Sequence, residues 1–233
     1  ENDNIIAEHT LDGERTGTCL NTSMFTVTEA NCGIEALSYN PIAKRYWTTT
    51  EVGMAKDGGM AAPNSLLKKN TLRLQSYLSD GTVGAQWLYE TDDLTRNTII
   101  HAYSFGVPTI CALDDGRLLV LEREVLIKLQ VGDIVYSRIK IFLVDPMSTQ
   151  EGKILKKQKL VDLENKVVLS LSPVSFAGDY YNFEGMCLGP RLKDGSQLLM
   201  LVSDSQGGMT LSQDDKTYVF PDTFLPIKLD FQQ

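Results

Sequence analysis

Apolar and polar residues alternate with period two through most of the chain, in short runs separated by clusters of Gly, Asn and Asp. That pattern is the signature of half-buried strands joined by tight turns. The best helical stretch is residues 64–78, where Asn64 or Ser65 is a candidate cap, yet Thr71-Leu72-Arg73-Leu74-Gln75 alternates and makes its second half a strand. Helical periodicity is sustained nowhere else, so the pattern predicts an all-β protein.

Three hairpins repeat one plan. Residues 33–40 turn into 45–51, residues 108–113 turn through Asp114-Asp115-Gly116 into 117–123, and residues 182–188 turn around Asp194-Gly195 into 198–204. Each second strand is apolar and ends in an acid, Glu51, Glu122 or Asp204, at intervals of 71 and 82 residues. Each interval leaves room for two outer strands: residues 72–78 and 83–90 in the first, 133–144 and 153–163 in the second. Residues 224–230 and 5–11 would complete a third unit by ring closure.

Four-stranded sheets recurring along a chain indicate a β-propeller, here one domain over residues 1–233. Three blades do not close a ring that takes four to eight. The reading is therefore a β-propeller-like fold that is partial or atypical. The chain is the later part of a longer ring, an abbreviated N-terminal blade completes it, or two chains do so as a homo-oligomer. An irregular β-sandwich is the competing architecture.

Composition narrows the function. With 42% hydrophobic and 22% charged residues the chain can build a full core, and a net charge of −8 offers no basic footprint for nucleic acid. No apolar run reaches the ~18 residues of a membrane-spanning helix. The sequence opens Glu1-Asn2-Asp3-Asn4 with no basic and apolar leader pattern, so its start does not report a compartment. Cys19, Cys32, Cys111 and Cys187 show no CxxC spacing, which argues against zinc or thioredoxin chemistry. They read as small buried apolar residues, with Cys19 and Cys32 closing the shortest loop under oxidising conditions.

The candidate chemistry lies in the acids. Innermost propeller strands line a channel, so Glu35, Glu51, Glu122, Glu184 and Asp204 are expected to converge on one axis. Carboxylates held close repel unless neutralised, and Ca2+ is the usual hard-cation neutraliser, which makes all five candidate metal ligands. A bound metal would polarise a phosphoryl or acyl oxygen, with Glu51, Glu122 and Asp204 as candidate catalytic acids. Arg123 is a candidate substrate clamp through its planar guanidinium, although alternation turns it away from the channel if Glu122 faces it. His101 is a candidate base and substrate contact. The competing role for the acids is structural, each satisfying a backbone group or an arginine between blades.

Other chemistries are excluded. His9 and His101 are the only histidines, so one chain cannot build an imidazole-rich metal centre, and no Arg-His pair supplies a histidine-phosphatase motif. No G-x-S-x-G elbow, P-loop or G-x-G-x-x-G is present. Trp47, Trp87, Tyr180, Tyr181 and Phe183 read as core, with residues 179–183 closest to a channel mouth. Lys153, Lys156, Lys157 and Lys159 read as a solvated edge strand, where lysine discourages pairing.

At the three hairpins the sequence resembles the phytase-like domain family, described as esterase-like activity of phytase. Asn31-Cys32-Gly33-Ile34-Glu35-Ala36-Leu37 with Thr50-Glu51, then Asp115-Gly116-Arg117-Leu118-Leu119-Val120-Leu121-Glu122-Arg123, then Phe183-Glu184-Gly185 with Leu201-Val202-Ser203-Asp204 carry the likeness, over about residues 31–208. The family's two earlier hairpins have no counterpart before Asn31. The resemblance implies an exported bacterial protein, periplasmic or secreted, acting as a phosphoesterase or esterase on a small anionic ester. A non-catalytic exported propeller that binds a ligand or protein partner is the alternative.

Overall fold

A computed structural model describes residues 23–25, 32–96, 102–128, 134–168, 182–205, 210–213, 216–219 and 222–230. Sheet one is an antiparallel meander of β1 (Ile34–Asn40), β2 (Arg45–Thr50), β3 (Thr71–Leu78) and β4 (Val83–Glu90). Sheet two repeats it with β5 (Ala102–Ala112), β6 (Leu118–Lys128), β7 (Ile134–Val144) and β8 (Lys157–Val168). Sheet three holds β9 (Phe183–Arg191), β10 (Gln197–Ser203) and β13 (Phe224–Leu229), with a separate hairpin, β11 (Thr210–Gln213) and β12 (Lys216–Val219), inserted before the last strand. Two of the hairpin turns need a left-handed residue, and Gly116 (φ 90°) and Gly195 (φ 87°) supply it without a Cβ penalty.

Alternation along β6 builds two cores at once. Leu118 and Val120 pack against sheet one with Ala36, Trp47, Leu72, Leu74 and Trp87. Leu119 and Leu121 pack on the other side with Phe183, Leu199, Leu201 and Leu229 of sheet three. The middle sheet is thus buried on both faces, which explains why β6 reads as a continuous apolar run rather than an alternating one. Trp47 and Trp87 meet in the first core with ring centroids 5.6 Å apart, and Phe183 is fully buried in the second.

The first strands of the sheets, β1, β5 and β9, lie beside one another, so the sheets fan outward from a common inner edge. Residues 152–155 strap sheet two to sheet one. Gly152 N–H donates to the Gln86 carbonyl (2.8 Å), Leu88 N–H to that of Lys153 (3.0 Å) and Leu155 N–H to that of Leu88 (2.8 Å). The strap covers the outer edge of β4, which would otherwise offer unpaired backbone groups.

The all-β expectation and the hairpin repeat hold, and β7, β8 and β13 fall where outer strands were expected. The sheets are open rather than a clearly closed ring, in keeping with a partial or atypical propeller. Residues 5–11 lie outside the described residues. Residues 64–70 form turns and coil rather than helix, because the segment enters β3 by a loop whose backbone is bonded to its own side chains, such as Leu67 N–H to Ser65 Oγ (3.0 Å).

Candidate functional site

Even-numbered residues of β6 face sheet one and odd-numbered ones face sheet three, and the rule continues past the apolar run. Arg123 therefore points toward the inner edge while Glu122 points away from it. The Arg123 guanidinium is buried and gathers groups from all three sheets. It donates to Glu51 Oε1, just beyond β2, to Glu184 Oε1 on β9, to Asn182 Oδ1 (2.7 Å) and to Ser104 Oγ on β5 (2.6 Å). Ser104 Oγ in turn donates to Glu51 Oε1 (3.2 Å). Gly106 makes the approach between β5 and Glu51 feasible: Val107 N–H donates to the Glu51 carbonyl (2.9 Å), and a Cβ on Gly106 would stand 2.4 Å from that oxygen.

Glu184 occupies a β-bulge, standing between the pairs Phe183↔Ser203 and Gly185↔Val202 without a partner of its own in the register. A bulge re-aims a side chain, and this one turns Glu184 onto Arg123. Asn182 fixes the turn into the strand. Its φ of 46° is left-handed, a conformation asparagine tolerates, and its Nδ2 donates to Glu184 Oε1 (2.9 Å) and to the Asp204 carbonyl (3.0 Å). Asp204 N–H returns a bond to the Asn182 carbonyl (3.0 Å), which sets Asp204 beside Glu184 at the end of the β9–β10 ladder. Both acids are only half-buried. Burial raises the Glu184 carboxyl above its ordinary value and the charge of Asp204 adds to the rise, against the pull of Arg123 and Asn182.

Glu122 belongs to a second cluster, between sheets one and two. It accepts from Tyr89 OH (2.6 Å), Lys157 Nζ (2.7 Å) and Asp92 N–H (2.9 Å). Asp92 is held in turn by Lys140 and Lys157, each at 2.8 Å. Burial raises Glu122 despite Lys157. It also pushes up Asp92, whose two lysines outweigh it and leave the acid lowered. An open cleft of about 570 Å³ lies over this cluster, lined by Lys69, Glu90, Asp92, Lys140 and Lys157 among others. Lys157 is thus not the solvated edge lysine expected from the basic run. Its side chain folds inward over Phe142, 4.2 Å from the ring centroid, because Glu122 and Asp92 wait at the strand's inner face.

The structure accordingly brings Glu51, Arg123 and Glu184 together, sets Asp204 alongside, and keeps Glu122 apart. Glu35 is exposed at the irregularity between Ile34 and Ala36 in β1. His101 lies outside the described residues. Calcium does not fit the inner cluster, where one guanidinium already lies against both Glu51 and Glu184, and among the described residues no three His, Cys, Asp or Glu side chains are grouped to hold a metal. Ser104 and Asn182 join the cluster without having been candidates. A signal for Asn182 was present, since it lies in residues 179–183, the segment read as closest to a channel mouth; Ser104 had none.

The family model named Phytase-like, described as esterase-like activity of phytase, matches residues 1–206. The match extends the likeness of residues 31–208 back to the first residue of the chain. No curated protein and no solved structure matches the chain.

Proposed function

The chain belongs to the Phytase-like family, and from that premise we propose that it is an ester hydrolase whose reacting edge is the carboxylate pair Glu184 and Asp204. The observation that carries this reading is the placement of two half-buried acids side by side at the end of the β9–β10 ladder, held there by Asn182. Burial, with the charge of Asp204 beside it, raises the Glu184 carboxyl, which suits it to carry a proton to a leaving group. In this reading Glu184 gives a proton to the departing alcohol, and Asp204 accepts one from the attacking water. Arg123 is buried and already bonded to Glu51 and Glu184, so it orients the acids rather than clamping substrate. The acidic edge favours a small acyl ester or a monoester over a polyphosphate. A periplasmic or secreted setting in a bacterium accords with the family. Among the described residues no helix is long and apolar enough to cross a membrane.

The test is hydrolysis of p-nitrophenyl acetate and p-nitrophenyl phosphate by the purified chain, with and without added calcium. Glu184→Gln and Asp204→Asn should each lower kcat by about tenfold or more. A wild-type chain that hydrolyses neither ester would refute the reading. One observation favours a second reading, a non-catalytic binding protein: Glu51 and Glu122 are buried and each is held by a cation, as structural acids would be. That reading predicts no turnover and no calcium heat by titration calorimetry.

A further inference from the structure

Ser104 stands on β5 opposite Val125, half-buried, where the inner edges of the sheets meet. Its hydroxyl is polarised from two directions. The oxygen accepts from Arg123 Nη2 at 2.6 Å and the proton points at Glu51 Oε1 at 3.2 Å. Neither partner is free to swing away. Arg123 is pinned by Asn182 and Glu184, and the backbone of Glu51 is pinned by Val107 N–H. A serine becomes nucleophilic when a base stands ready to take its proton and a positive charge stabilises the oxygen left behind. Both conditions are met here by side chains from two other elements.

We infer that Ser104 is the nucleophile of this site, forming a covalent acyl-serine during ester hydrolysis; the inference rests on the ester-hydrolase reading above. In the first half-reaction Glu51 takes the hydroxyl proton as Ser104 Oγ bonds to the acyl carbon. The bond from that carbon to the alcohol oxygen breaks, and Glu184 supplies the alcohol's proton. In the second, water attacks the acyl carbon, Asp204 takes a proton from the water, and the carbon–Oγ bond breaks as Glu51 returns its proton to Ser104. A proton passed from Asp204 to Glu184 through solvent at the half-exposed edge restores the starting state. The sum is ester and water to acid and alcohol, with no redox change and no further reactant.

The experiment is an acid quench of the full chain with p-nitrophenyl acetate, followed by intact mass and peptide mapping, in parallel with labelling by a fluorophosphonate ester. The expected result is one acetyl group on the peptide carrying Ser104, a single phosphonate label at the same residue, and a burst of nitrophenol before steady turnover. Ser104→Ala should lose adduct and label, and lose turnover by at least about a hundredfold, with its melting temperature kept. Ser104→Cys, which retains a nucleophile, should recover an acetyl adduct even if the alanine variant folds poorly. Wild-type turnover without an adduct at Ser104, and unchanged in Ser104→Ala, would overturn the inference and leave the hydrolase reading standing. Absence of turnover, adduct and label in the wild type would overturn both.

Discussion

Without its guanidinium, Arg123 would leave Glu51 buried with a charge and only a serine to answer it. Arg123→Met is therefore expected to destabilise the protein by about 3–5 kcal/mol, read as a lower urea midpoint at unchanged slope. Arg123→Lys should recover little, because an ammonium cannot reach Glu51, Glu184, Asn182 and Ser104 with one planar fork. The buried acids set a pH dependence of opposite sign to the usual carboxylate case. Glu122 and Glu124 are both raised above the ordinary 4.5 by burial, so the folded protein keeps protons that the unfolded chain releases. Their contribution is favourable at low pH and is lost as pH rises through the raised values. A Glu122→Gln, Glu124→Gln double variant should flatten the decline of the denaturant midpoint as pH rises above the ordinary carboxylate range. A steeper decline in the variant would show that the sign is wrong.

At the scale of the strand, position in the pleat decides which residues meet. Glu122 and Arg123 were both visible as candidates in the sequence, and alternation correctly put them on opposite faces. Which of the two faces the inner edge was not legible, because that depends on the register of β6 against its neighbours in space. Bulges hid a second part of the site. Glu184 reaches Arg123 only because β9 carries one residue too many against β10, and a period-two reading has no means of locating that residue. Lys157 was misplaced for a related reason: a basic run looks solvated until the acids it meets, contributed by other strands, are known. The close approach of β5 to Glu51 gives a local test. Gly106→Ala should force the Glu51 backbone outward and cost about 1–3 kcal/mol, seen as a fall in melting temperature, along with loss of whatever activity depends on Ser104.

Among the described residues, three sheets of three or four strands share two main cores, and the repeat of hairpins read from the sequence accounts for most of this arrangement. What the sequence left open was how the fan ends, since the spacing of acids fixes neighbouring sheets but not the number needed to meet again. The separation of the cores makes a prediction about additivity. Leu118 and Leu119 are adjacent in sequence yet belong to different cores, so Leu118→Ala and Leu119→Ala should each cost about 2–5 kcal/mol and sum to within ~0.5 kcal/mol in the double variant. A large coupling energy would mean that the two cores behave as one. The sheet between them has a further consequence for how the protein opens. Either outer sheet can loosen by uncovering one core, whereas sheet two cannot separate without uncovering both. Amide hydrogens of β6 and β7 should then exchange with deuterium only through global unfolding, while those of β3 and β13 exchange through smaller, cheaper openings, so that protection falls away from the centre in both directions.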